Sequence, residues 1–435
     1  MRHIQRLSHL SIAAALVIAG VVATTLPAQA GPASCGVPKS SWTARAPARL
    51  GLDPEKLQEA LDFATTHSSE TVLVFRRGCL AGASRLDPVT SELTIDGWSM
   101  TKSVTALLVG RAVTLGRLNI DRPIGPLFPE ADQAHARITP RNLMQMSSGL
   151  HRHWMRDYHG PSLHPDRVRD ALSLPFDHKP GTVWEYHQSA VTLLGEAVAR
   201  AVGRDLQDFA QRELFTPIGI APGTWTWDRD RAGNSEAWAH LHMRSSDWAR
   251  LGTLVLHGGR WGGRLLISKA YMRQFSTSAP TNRAYGFLTW LNGKDSYVLP
   301  GPNGRDRGKG WVTVNAPRDA IIFAGQDEQR IYVIPSLDMV VVRLGQKASR
   351  ELDFRVTFWS GRSGEFDNGF MLRLKKAVTD RKLDTTDHYR SAGLVLPSTE
   401  RDSWEGSAVY EPVELLAAVG AGPHAPEGCT PAGCD

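Results

Sequence analysis

Ser99-Met100-Thr101-Lys102 sets a hydroxyl and an amine three residues apart, directly ahead of the apolar run Val104-Thr105-Ala106-Leu107-Leu108-Val109. Positions i and i+3 share one face of a helix, so the two groups can meet at the mouth of a cleft while the other face is buried. A lysine held away from water loses part of its preference for the charged form and can accept the proton of the serine. That is the minimum equipment for an acyl-enzyme, with Ser99 as nucleophile and Lys102 as base. Such a pair arises by chance about once or twice in a chain of this length. Without supporting context Ser99 reads as a helix cap and Lys102 as a solvated side chain, so the surroundings decide.

Other chemistry-bearing groups carry less. His151, His153, His159 and His164 form a cluster, but there is no His-Glu-x-x-His and their spacing fits no standard zinc pattern. The expectation is a site without metal or cofactor. Gly258-Gly259-Arg260-Trp261-Gly262-Gly263 reads as turns, since it lacks the strand-to-helix setting of a phosphate loop. Trp154, Trp184, Trp225, Trp227, Trp290 and Trp311 are core residues by default, with one or two lining an acyl pocket.

Arg2 and Arg6, the uncharged apolar stretch from Ile12 to Val22, and Ala28-Gln29-Ala30 have the layout of a secretory signal peptide ending at residue 30. The expected product is secreted or periplasmic, with no membrane insertion after cleavage. Removing that segment lowers the formal net charge from +6 to +4, because Arg2 and Arg6 are its only charged residues. A mild excess spread along the chain is no nucleic-acid footprint. Cys35, Cys79, Cys429 and Cys434 then suggest two structural disulfides, with the pairing open.

These groups must be positioned by the rest of the chain. Asp53-Pro54-Glu55-Lys56 opens a helix with an apolar stripe at Leu57, Ala60, Leu61 and Ala64. Thr71 to Phe75 reads as a strand, turned at Arg76-Arg77-Gly78. From Trp98 to about Leu256 the signals are mostly helical. Three β-rich runs follow, at Ala320 to Ala324, Gln329 to Ile334 and Met339 to Leu344, then a helix near Asn368 to Val378. If the early strand joins the late ones in one antiparallel sheet, the helical region at about 104–256 is an insertion beside it. The first helix of that region then sits at a junction where clefts form. The domain reading is a signal peptide at 1–30, one hydrolase domain at 31–380 and a loosely packed tail at 381–435.

Around this frame the chain resembles the penicillin-binding-protein-like serine hydrolases, the superfamily of class C β-lactamases, D,D-peptidases and family VIII esterases. Besides the serine segment, the resemblance rests on Ile138-Thr139-Pro140-Arg141-Asn142-Leu143-Met144-Gln145-Met146-Ser147-Ser148-Gly149-Leu150 and Pro180-Gly181-Thr182-Val183-Trp184-Glu185-Tyr186-His187-Gln188. It continues through Leu214-Phe215-Thr216-Pro217-Ile218-Gly219-Ile220 and Gln329-Arg330-Ile331-Tyr332-Val333-Ile334-Pro335. The last of these, with Ser246 to Gly252 and Tyr285 to Trp290, is most similar to the 6-aminohexanoate-dimer hydrolase branch. The match runs in the expected order over roughly residues 45 to 380.

The resemblance implies an α/β (α+β) fold, a β-lactamase-like αβα sandwich with an antiparallel sheet and an inserted, mostly helical region. It adds Tyr186 as a proton shuttle beside Ser99 and Lys102. Two departures follow. Gln188 stands where relatives carry Asn, which shifts an amide by about one bond length. The family's third motif, Lys-Thr-Gly or His-x-Gly, is represented by Phe323-Ala324-Gly325, with no cation in first place. What remains is a backbone edge, in which Gly325 and the N–H of Gln326 complete an oxyanion hole with the N–H of Ser99. Losing the cation weakens recognition of a substrate carboxylate. The expected substrate is therefore a small ester or amide. The alternatives are a β-lactamase or D,D-peptidase, and a non-catalytic sensor on the same scaffold. Oligomeric state is not legible.

Overall fold

Asp53 Oδ1 accepts the N–H groups of Glu55 and Lys56 at 3.0 and 3.2 Å, satisfying orphan donors at the start of helix α1 (Pro54–Thr65). Proline in the first turn supplies a preset φ, and the stripe Leu57, Ala60, Leu61 and Ala64 is buried. The chain then enters a hairpin, β1 (Ser69–Arg76) and β2 (Cys79–Ala83), reversed at Arg77 and Gly78, whose φ values are 53° and 72°. The Cys35–Cys79 disulfide ties residue 35 to the start of β2. Cys429 and Cys434 lie outside the described residues. The structure is a computed structural model and describes residues 33–38, 40–87, 91–152, 157, 164–300, 306–346 and 364–390.

Four later strands complete the main sheet: β6 (Trp290–Leu291), β7 (Ile321–Ala324), β8 (Arg330–Ile334) and β9 (Met339–Gly345). Their order is β2-β1-β9-β8-β7-β6, antiparallel throughout. The early hairpin thus joins the late meander, as the sequence anticipates. Every residue of β8 and β9 is buried, so the sheet is covered on both faces. The register makes the faces explicit. Arg330 pairs with Arg343 and Tyr332 with Val341, toward one layer; Ile331 pairs with Val342 and Val333 with Val340, toward the other.

Helix α5 (Glu365–Ala377) packs with α1 on the first face and reaches Arg330 and Tyr332 through Asp367. Helix α4 (Ser245–Leu256) lies on the second face, where Gly252 lets it approach closely. A Cβ there would stand 2.8 Å from Ile331 and from Val340. The αβα sandwich is therefore observed.

Between β2 and β6 the chain supplies the central helix α2 (Met100–Thr114) and helix α3 (Gln188–Val202). The sequence suggests a helix with one wet face, but α2 is buried at every position from Met100 to Ala112. A helix enclosed on all sides must satisfy its polar groups locally. Ser103 Oγ donates to Leu288 O at 2.6 Å, Thr105 Oγ1 to Ala237 O at 2.7 Å, and Arg111 to Leu266 O at 3.1 Å and to Glu213.

The region also contains strand, in a small sheet of β3 (Ile95–Asp96), β4 (Trp225–Trp227) and β5 (Leu241–Met243) in the order β3-β5-β4. Segments of two or three residues carry no alternation to detect, which is why a mostly helical reading missed them. In residues 381–390, Asp387 accepts from Asn315 Nδ2 at 2.8 Å and Leu383 packs against the core.

Candidate active site

The approach to α2 is a forced turn. Asp96 Oδ1 accepts the N–H of Trp98 at 2.7 Å, and Trp98 takes a left-handed φ of 47°, a strained conformation for a bulky residue. Gly97 fills the space before it, because a Cβ at that position would stand 2.2 Å from the Trp248 ring. Ser99 then occupies the N-cap position of α2 yet makes no side-chain cap bond. Its hydroxyl lies instead 2.9 Å from Lys102 Nζ. The pair predicted from spacing is assembled.

Lys102 is 1 % exposed, and its Nζ also donates to the carbonyl oxygen of Trp238 at 2.8 Å. Burial holds its pKa well below the ordinary lysine value, and the negative charge of Asp157 offsets that in part. A neutral amine keeps an N–H for Trp238 O and a lone pair for the proton of Ser99, the arrangement a general base needs. Nζ also lies 4.8 Å from the centroid of the Tyr186 ring and 5.5 Å from that of Trp238. Tyr186 thus reaches the same site, backed by Trp184 at 6.2 Å, which meets Tyr285 and Trp290 edge-on.

Gln188, the first residue of α3, is 2 % exposed, and its Oε1 has no hydrogen-bond partner among the described residues. Its N–H donates to both oxygens of Asp157, at 2.8 and 3.0 Å, and the N–H of Ser189 adds a third bond at 3.3 Å. A carboxylate at a helix N-terminus satisfies orphan donors and complements the dipole. His187 completes the group. Its Nδ1 lies 2.8 Å from Asp157 Oδ1, and its Nε2 lies 3.1 Å from the carbonyl of His151, which can only accept. Burial lowers the His187 pKa, but the charge and hydrogen bond of Asp157 raise it more, leaving it above the ordinary histidine value. Asp157 is likewise pushed up by burial and pulled further down by His187 and Arg152, ending below the usual aspartate value. A buried ion pair therefore stands behind Lys102.

Gly325 follows β7, and its N–H donates to Gln329 O at 2.8 Å, closing a tight turn over Gln326, Asp327 and Glu328. A Cβ on Gly325 would stand 2.2 Å from the carbonyl oxygen of Gly97, so this turn lies against the chain two residues before Ser99. The structure thereby brings the third predicted segment to the other two.

Sequence reasoning missed Asp157, Trp238, Asp96 and His240. Trp238 acts through a backbone carbonyl, which leaves no mark in residue type. Asp157 meets Gln188 across 31 positions with no local pattern. His240 Nδ1 lies 2.8 Å from Asp96 Oδ2, and its ring meets Trp98 and Trp238 edge-on at 5.0 and 5.2 Å. Trp98, the residue before Ser99, and Trp238, whose ring lies 5.5 Å from Lys102 Nζ, thus flank the pair. Of the histidine cluster, His151 faces Asp177 at 3.0 Å and His164 faces Asp170 at 3.3 Å, while His153 and His159 lie outside the described residues. Among the described residues no group of three His, Cys, Asp or Glu is disposed to hold a metal.

Comparison with known proteins bears on the family and the fold. The family profile described as Beta-lactamase matches residues 64–363. A lovastatin esterase from Penicillium rubens is 27 % identical over 190 residues, covering 37 % of this chain and 46 % of that protein. Esterase EstB from Burkholderia gladioli is 28 % identical over 142 residues, covering 28 % and 36 %. The chain thus spans less than half the length of either curated relative. A crystal structure of a family VIII carboxylesterase superposes with a TM-score of 0.54 at 14 % identity, covering 78 % of this chain and 99 % of that one, a likeness of fold.

Proposed function

The chain belongs to the beta-lactamase family, and on that premise we propose that it is an exported serine hydrolase cleaving a small ester or amide through a Ser99 acyl-enzyme. The observation that carries this reading is the 2.9 Å separation of Ser99 Oγ from a Lys102 amine that is buried and depressed in pKa. Lys102 takes the hydroxyl proton as Ser99 attacks the carbonyl carbon. Tyr186 passes a proton to the leaving group, and the two share the return transfer when water releases the acyl group. The backbone N–H groups of Ser99 and Gln326 receive the developing oxyanion. Gln188 Oε1 is a buried acceptor for a donor on the substrate.

The first place of the third segment is Phe323, fully buried, which favours esters and simple amides over substrates that need a cation for their carboxylate. Export is supported by the Cys35–Cys79 disulfide. No helix among the described residues is long and apolar enough to cross a membrane. The same reading treats residues 31–380 as the hydrolase domain and 381–435 as an appended tail.

The test is a fluorophosphonate probe with a panel of p-nitrophenyl acetate, p-nitrophenyl butyrate, the matching anilides and nitrocefin. A covalent adduct on Ser99, absent in Ser99→Ala together with turnover, is expected. A folded wild type that takes no adduct overturns the enzyme reading. Nitrocefin hydrolysis with no esterase activity overturns the substrate class.

A further inference from the structure

The turn after β7 holds two consecutive non-glycine residues in the left-handed region, Asp327 and Glu328, each with φ 55°. Such conformations cost about 1–2 kcal/mol per residue and persist only where the surroundings over-determine them. The turn is held from below by two buried arginines. Arg330 Nη1 donates to Gly325 O at 2.8 Å and to Gln329 O at 3.0 Å, while Arg343 donates to Asp327 O. The two are direct cross-strand partners, a costly juxtaposition of like charges. Asp367 on α5 offsets it, lying 3.2 Å from Arg330 and accepting the hydroxyl of Tyr332 at 2.6 Å.

A peptide unit is planar and trans, so its C=O and N–H point in opposite directions. The carbonyl between Gly325 and Gln326 is drawn down toward the α5 face by Arg330. The N–H of Gln326 in that same unit must then point to the opposite side. Gly325 itself rests against the carbonyl of Gly97, at the entrance to Ser99. We propose that Arg330 is the positioning residue of the oxyanion hole: by pinning the carbonyl of Gly325 on the buried side of the turn, it aims the N–H of Gln326 at the carbonyl oxygen of a substrate on Ser99. Arg330 touches no substrate. The proposal rests on the reading of Ser99 as nucleophile.

The variants are Arg330→Lys, whose compact ammonium lacks the planar fork that reaches the two carbonyls from Nη1 and Asp367 from Nη2, and Arg330→Met with Asp367→Asn, which removes the buried charge and its partner at once. Loss of one oriented oxyanion donor lowers kcat for p-nitrophenyl butyrate about 100-fold while KM stays within about threefold. Phenylboronic acid, whose tetrahedral adduct on Ser99 places an oxygen in the hole, should lose affinity in parallel with kcat. A merely structural role would lower the melting midpoint without this parallel. Wild-type kcat and boronate affinity in either folded variant overturn the proposal.

Should neither variant fold, the wild type answers directly. Labelling with 13C-glycine and 15N-glutamine marks two peptides, Gly325–Gln326 and Gly345–Gln346, the second serving as control. Boronate binding should move the Gln326 amide proton downfield and leave Gln346 in place; an unmoved Gln326 overturns the assignment. Turnover that survives in Ser99→Ala removes the premise instead, and is distinguishable because it leaves nothing for the hole to serve.

Discussion

The α-carbon of Gly325 lies against the carbonyl oxygen of Gly97, so closely that a methyl group added there would stand 2.2 Å from that oxygen. Both partners are backbone, and neither can swing aside as a flexible side chain would. Gly325→Ala should therefore push the turn away from Ser99. The expected cost is about 1–3 kcal/mol of stability, as for overpacked sites, with a fall in kcat larger than the lost folded fraction. Urea titration alongside p-nitrophenyl butyrate turnover measures both. Unchanged kcat in the folded fraction would show that this approach does not position the site.

Lys102 must be neutral to act as base, and burial lowers its pKa, so kcat/KM should rise with pH through that depressed value. Asp157 opposes burial by favouring the charged amine. Removing the carboxylate charge in Asp157→Asn must lower the pKa of Lys102 further and move the acid limb toward lower pH. Lys102→Met should lower kcat/KM by about 10²–10⁴, the usual contribution of a positioned base. A pH–rate profile of the three proteins decides it; a limb that moves toward higher pH contradicts the assignment.

The Asp157–His187 pair also predicts how stability depends on pH. His187 has a raised pKa, so its contribution is complete below the unfolded histidine value of about 6.5 and is lost as pH rises through the folded value. Asp157 has a depressed pKa, so its contribution is present above the unfolded value of about 3.9 and is lost as pH falls through the folded one. The pair is strongest between those limits. Asp157→Ala, which leaves a buried imidazolium unpaired, should cost about 3–5 kcal/mol near pH 5.5 and less at pH 8.5. Denaturant midpoints at the two pH values test the sign, and an equal cost at both would exclude the pair as its source.

Asp96 holds Trp98 in a left-handed conformation through its N–H and is itself held by His240. Asp96→Ala should free the residue before Ser99 and misplace its hydroxyl. A loss of about 10- to 100-fold in kcat with little change in KM is expected, the scale on which small displacements act. Steady-state kinetics with a thermal melt separates this from unfolding. A KM effect alone would assign Asp96 to substrate contact.

The sequence by itself determined the parts that depend on local order. A serine and lysine one helical turn apart, an Asp-Pro helix start, an Arg-Gly hairpin and three short β-rich runs are all near-neighbour patterns. Those patterns supplied the helices and strands, while the αβα sandwich they build was implied by the resemblance to the penicillin-binding-protein-like serine hydrolases. The small sheet of Ile95–Asp96, Trp225–Trp227 and Leu241–Met243 stayed hidden, since two or three residues carry no period.

Only the tertiary structure decided what surrounds the reactive pair. The full enclosure of α2 is what depresses the pKa of the Lys102 amine, and an enclosure is a sum over distant segments. Asp157 behind His187, the carbonyl of Trp238 on Lys102 and the guanidinium of Arg330 under Gly325 each join residues far apart in the chain or act through backbone atoms. Electrostatics and backbone direction are properties of proximity, and proximity across the chain exists only once the sheet has closed.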